Sequence, residues 1–183
     1  MLVFTKSLCI FFLIGFLFTG CKKDEEVVPK SIITINGVDY DLSQALLIDY
    51  GPFATGQPNA QVLFLSSSGV QFHEVNGKLD SISGVGHAIY FELSGSVPNA
   101  LTDGEYAFNP FGPPYKGETF LYSYAVFQAD FVTFDGEFYE ISAGKITVKK
   151  EDSQYAISFD CTEIEGKHIT GFYKGALKFF DEG

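Results

Sequence analysis

Two hydrophobic patterns divide this chain. From residue 8 to residue 18 the positions are unbroken apolar, a run too short for the roughly 20 residues that a bilayer-spanning helix needs. From Ile32 onward apolar residues alternate with polar ones in short stretches bounded by Gly, Asn, Asp and Pro, the period of half-buried strands. The division predicts a signal segment at 1–20 that is removed, a tether at 21–30, and a single all-β domain at 31–183.

Within the domain, residues 32–35 and 38–40 flank Asn36-Gly37, a pair that tolerates the positive φ of a type I′ turn, so these two strands are expected to form a hairpin. Residues 42–50 admit two readings, a helical turn capped by Ser43 or a continuing strand with a bulge. Residues 51–59 read as a loop. Further strands are expected at 61–66, 87–94, 104–108, 120–131, 138–149, 154–162 and 168–180. Turn chemistry separates them at Asn76-Gly77, Asp103-Gly104, Asp135-Gly136, Asp152-Ser153 and Glu165-Gly166, with a Pro-rich loop at 109–117. About nine strands linked mostly as hairpins give an antiparallel β-sandwich or a partly open β-barrel.

The phase of the alternation adds detail. Tyr139, Ile141 and Ala143 stand at odd positions while Ile146 and Val148 stand at even ones, so the buried face slips by one residue and a bulge is expected near Gly144. Ile169, Gly171, Tyr173, Gly175, Leu177 and Phe179 share one phase, and the two glycines predict a sharp bend or room for an aromatic ring. In the strand at 120–131, Phe120, Tyr122 and Tyr124 fall on one side and Leu121, Ala125, Phe127 and Ala129 on the other, so both faces read as apolar.

Composition narrows the function. The chain carries a formal charge of −11, with 23 acidic residues against 12 lysines and no arginine. Loss of residues 1–20 would take Lys6 and no acidic group, leaving the remainder more acidic still. Nucleic-acid binding needs clustered cations to neutralise phosphates and is disfavoured; the bidentate guanidinium clamp for phosphate is absent as well. Of the three cysteines, Cys9 lies in the signal segment, Cys21 at the start of the tether and Cys161 in the domain. Cys161 alternates in phase with Tyr155, Ile157 and Phe159 and is expected to pack in the core.

Catalytic and metal-binding patterns are sparse. His73, His87 and His168 lack the close spacing of a metal-binding pair, no Gly-x-Ser-x-Gly elbow is present, and Asp130, Asp135 and Glu137 lack the repeated acidic positions of a calcium loop. No cofactor and no enzymatic activity are expected. A carboxylate pair for glycoside hydrolysis would be set by the fold and is not readable from spacing. The feature that does suggest binding is aromatic. Tyr122 and Tyr124, joined by Tyr115 and Phe111 from the Pro-rich loop, would make a ligand surface if exposed, since tyrosines stack on sugars while their hydroxyls hydrogen-bond. The same stripe would fill an interior if buried.

The segment Leu17-Phe18-Thr19-Gly20-Cys21 resembles a bacterial lipoprotein signal, with Phe18 where the common motif has Leu. The resemblance implies cleavage before Cys21 and lipidation of that cysteine. Lys23-Asp24-Glu25 is similar to the export signal of Bacteroidota surface lipoproteins, which implies an outer-membrane protein facing the cell exterior. The stretch 144–180 resembles the ending of an uncharacterised all-β family of Bacteroidota lipoproteins, a likeness that implies no activity. Together these readings lead to an expectation of a lipid-anchored binding or accessory protein for glycan or nutrient capture, held in the membrane through Cys21 and working beside an outer-membrane transporter. The alternatives are a lipocalin-like carrier of an apolar ligand and a structural or adhesive surface subunit.

Overall fold

A computed structural model describes residues 29–111 and 113–183. The chain is all-β, a single curled sheet that forms an open half-barrel. It begins with the expected hairpin, β1 (Ile32–Ile35) and β2 (Val38–Asp41), whose turn residues Asn36 and Gly37 have φ of 53° and 74°. There follow β3 (Gln44–Pro52), β4 (Asn59–Ser66), β5 (Val70–Val75), β6 (Lys78–Gly95), β7 (Gly104–Phe108), β8 (Thr119–Asp130), β9 (Glu137–Glu151), β10 (Gln154–Glu163), β11 (His168–Gly175) and β12 (Lys178–Asp181). Neighbours across the sheet run β12-β3-β4-β6-β8-β7-β9-β10-β11-β1-β2, and β5 pairs with β6 off this path.

The nine expected strands thus become twelve among the described residues. Within residues 42–50 the strand reading holds from Gln44 onward, since β3 lies between β4 and β12. The segment 70–84 adds β5 and the first half of β6. The expected last strand breaks after Gly175, and β12 crosses to the opposite edge to lie parallel to β3. A second parallel contact joins β7 to β8, so antiparallel pairing is the rule and not the whole pattern.

The inner side of the curl is filled. Ile33, Leu47, Leu63, Phe91, Phe120, Phe127, Ile146, Ile157, Phe159 and Ile169 belong to one buried cluster. Rings meet across it, Phe91 with Phe120 at 5.5 Å and with Phe159 at 5.6 Å between centroids. Burying a side chain of this class contributes about 1.5–3 kcal/mol. Cys161 packs among them, 1% exposed, and burial pushes its thiol pKa up to about 12. Gly171 fits here because a Cβ would run into the Phe159 ring on β10, the aromatic neighbour that the glycine spacing anticipated.

A second, smaller cluster lies on the outer side: Leu46, Ile48, Val62, Phe64, Val70, Ala88, Val126, Ala129 and Phe180. Its cover is the hairpin of β5 with the first half of β6, which brings Phe72, Leu79 and Ile82 over the sheet. Phe180 closes it from β12, while Phe179, placed inward by the sequence phase, is 39% exposed. Phe179 keeps the inward phase, paired with Leu47 of the inner cluster, but lies on an edge strand. Glu182 ties hairpin to C-terminus, accepting from the Leu79 amide at 3.1 Å and from Lys78 Nζ at 3.2 Å.

Bulges set where side chains point. In β9 the ladder shifts between Thr162 and Glu163, leaving Ser142 as the extra residue, two positions before the expected Gly144. The bulges in β8 matter more. Phe91 pairs with Ser123 but Leu93 pairs with Phe120, so Leu121 and Tyr122 together face Glu92. A further bulge sets Phe127 and Gln128 opposite His87, whose Nδ1 accepts from the Gln128 amide at 3.1 Å.

One buried carboxylate organises the end of the sheet. Asp49, 2% exposed on β3, accepts hydrogen bonds from the amides of Gly51 at 2.8 Å and Asn99 at 2.7 Å, from Asn59 Nδ2 at 3.0 Å and from Gln61 Nε2 at 2.8 Å. Burial alone would raise its pKa. The donors from Asn99, Gln61, Asn59 and Gly51 outweigh that and hold the pKa below the usual carboxylate range.

Candidate functional site

The extra residue at Leu121 and Tyr122 turns the two halves of β8 to opposite sides. Phe120, expected to share a face with Tyr122 and Tyr124, is fully buried in the inner core. Tyr122 and Tyr124 point outward, 64% and 37% exposed. Without the bulge a strict period of two would put all three on one side and expose Phe120 or bury both tyrosines.

Around these tyrosines the outer face opens into a groove of about 500 Å³, lined by Phe64, Tyr90, Glu92, Tyr122, Tyr124, Val126, Phe131 and Phe138. Cross-strand register explains the lining. Phe64 pairs with Tyr90, Tyr90 with Tyr124, and Val126 with Phe138, which gives aromatic rows running across β4, β6, β8 and β9. Such neighbours on one face stand about 5 Å apart. The covering hairpin ends at this border, where Phe64 meets Phe72 and Phe131 edge-on at 5.8 and 5.9 Å. Beyond Phe131 the aromatic surface has no cover among the described residues, and Phe138 is half exposed.

The electrostatics are those of a partly dried acidic surface. Burial raises the pKa of Glu92. Tyr90 is pushed up to about 12, first by burial and then by the Glu92 charge and the neighbouring Tyr50 and Tyr124. Tyr50 is raised as well, by burial and then by Glu182 and Glu92. No lysine or histidine lines the groove. Chemically it offers flat apolar rings, phenolic hydroxyls that donate and accept, and one carboxylate acceptor.

Tyr115 lies elsewhere. Its ring stacks on Phe53 at 3.9 Å between centroids and 15° between planes, so the Pro-rich loop is held against the loop after β3 and does not extend the tyrosine surface. Phe111 is 78% exposed and lines a separate depression with Pro113 and Pro114. Conversely Tyr90, Glu92, Phe131 and Phe138 join the groove unannounced by the sequence reading. A signal was present for the first two: Ile89, Phe91 and Leu93 set the inner phase, so Tyr90 and Glu92 had to face out.

Asp130 and Asp135 serve their own turn. Asp130 Oδ1 accepts from the amides of Val132 at 2.8 Å and Thr133 at 3.2 Å, and Asp135 Oδ2 accepts from Thr133 Oγ1 at 3.0 Å. Among the described residues no group of three or more His, Cys, Asp or Glu side chains is arranged to hold a metal ion. Cys21, Lys23, Asp24 and Glu25 lie outside the described residues. No family model, curated protein or solved structure matches this chain.

Proposed function

We propose that this protein is a lipid-anchored binding or accessory protein of the outer membrane, held by Cys21 and facing the exterior, that captures a glycan in the outer aromatic groove. The observation that carries the reading is the bulge-directed exposure of Tyr122 and Tyr124 beside Tyr90, Glu92 and Phe138. Contiguous exposed aromatic surface on a β-face is characteristic of binding sites, and ring faces bounded by hydroxyls and a carboxylate suit the mixed apolar and polar surface of a sugar. Delivery of the captured ligand to a membrane transporter is the role such an anchor would serve. The carrier alternative draws less support, because Phe91, Phe120 and Phe159 occupy the inner space that an enclosed apolar ligand would need.

The test combines oligosaccharide binding with anchoring. Titration calorimetry against a panel of neutral and charged oligosaccharides should find binding that Tyr122→Ala and Tyr124→Ala each weaken by about 5–30-fold, equivalent to roughly 1–2 kcal/mol. Binding unaffected by both variants would overturn the site. In cells, Cys21→Ser should abolish acyl labelling and membrane retention, and replacing Lys23, Asp24 and Glu25 by Ala should hide a still-lipidated protein from external protease. Persistent labelling, or unchanged protease access, would remove the corresponding part of the reading.

A further inference from the structure

Glu92 is the anomaly of the groove. It lies mid-sheet on β6, opposite Val62 on β4 and the bulged pair Leu121 and Tyr122 on β8, and is only partly exposed. Several other shielded carboxylates have partners, although Glu118, just before β8, has one buried oxygen with none. Glu182 takes Lys78, Glu151 takes Lys149 and Lys174, and Glu163 takes the amides of Glu165 and Lys167. Glu92 has neither a hydrogen bond nor an ion pair with any described residue. None of the titratable groups around it is a cation: the phenols of Tyr50, Tyr90, Tyr122 and Tyr124 share this surface, with Glu182 near Tyr50. A carboxylate partly shielded from water and left without a partner loses some of its hydration with nothing in return.

A cationic ligand group would remove that penalty, and the surrounding surface favours one. Aromatic faces attract ammonium groups through their negative π-clouds, by more when the site is desolvated, and six rings, Phe64, Tyr90, Tyr122, Tyr124, Phe131 and Phe138, share the groove with the carboxylate. The chain's charge of −11 would draw a cation from solution and repel anionic sugars. We infer that the groove takes an amino-bearing glycan, a hexosamine chain with unacylated amines, one ammonium pairing with Glu92 while the ring faces stack on Tyr122 and Tyr124. This rests on the glycan reading above and specifies the sugar class.

The probes are β-linked glucosamine oligomers and their fully N-acetylated counterparts, which share a backbone and differ in charge. The free-amine oligomers should bind the intact protein about tenfold or more tightly than the acetylated ones, and Glu92→Gln should erase the preference by weakening the free-amine oligomers far more than the acetylated ones. Thermal melting of Glu92→Gln should stay at or above that of the parent, because the substitution removes an unpaired charge; should that variant misfold, Glu92→Leu, isosteric enough for the site and apolar, is read in the same way. Equal binding of the two oligomers, or a preference that survives loss of the carboxylate, overturns the amine assignment and leaves glycan capture standing. Binding of neutral glycans alone does the same. Failure of the whole oligosaccharide panel overturns both readings.

Discussion

Replacing Asp49 tests how the end of the sheet is held. Its two oxygens receive donors from four residues spread over β3, β4 and the segment before β7. In Asp49→Ala the side chain of Gln61 keeps a partner, because its Nε2 also donates to the Val97 carbonyl at 2.9 Å. The amides of Gly51 and Asn99 and the side chain of Asn59 lose theirs. A hydrogen bond to a charged group contributes about 1.5–3 kcal/mol, and a buried donor left unpaired costs about 1–3. Water entering from the loop side recovers part of this, so the net loss should be about 3–5 kcal/mol, or roughly 6–20 °C in melting temperature for a domain of this size. Asp49→Asn should cost less but still measurably, since an amide N–H then faces donors. The pH dependence separates the charge from the shape. With a folded pKa below the unfolded value of about 3.9, the carboxylate's contribution is complete above pH 4 and is lost as pH falls through the folded pKa. The gap between wild type and Asp49→Asn, followed by thermal melts from pH 7 down to pH 2, should therefore close on the acid side. A gap that is absent at pH 7, or that persists unchanged at pH 2, would refute this account of the network.

Two further outcomes follow from the geometry of β8 and β10. Phe120→Ala should lose about 3–5 kcal/mol in denaturant titrations, whereas Tyr122→Ala, two positions along the same strand, should stay within about 0.5 kcal/mol of the parent; similar losses for both would contradict the bulge. Cys161 should resist alkylation by iodoacetamide at pH 8 in the folded protein and react fully in 6 M guanidinium, read by mass spectrometry of the peptide that contains it, and rapid native labelling would contradict its burial.

Turn chemistry and strand period carried much of the fold, and their failures have local causes. Asn36-Gly37 announced its hairpin because both residues must adopt positive φ. β5 escaped notice because only Val70, Gln71, Phe72 and His73 alternate before the ladder shifts between His73 and Glu74, which leaves too short a run to stand out. The split between β11 and β12 had no marker beyond Ala176 and Leu177, because the alternation runs through it unchanged: Phe179 pairs with inner Leu47 and Phe180 with outer Ile48. The site was half legible for the same reason. Alternation is reliable only between bulges, and no residue type announces the one at Leu121 and Tyr122. Its Ser123 Oγ donates to the Leu121 carbonyl at 2.6 Å, a bond that any serine in a strand might make. Tyr115 was misjudged because its partner, Phe53, lies far away in sequence.

The crossing of β12 to the other edge bears on how the chain reaches its final form. The amide of Lys174 bonds Ser31 Oγ across 143 positions, β1 finds its second neighbour in β11, and β3 finds one in β12. Both ends of the sheet thus wait for β11 and β12 to be made. Contacts of such long range slow folding, because the loop they close must be ordered before they repay its entropy. An emerging chain would hold β1 and β3 with open edges until β11 and β12 had followed, a state exposed to aggregation if it lingered.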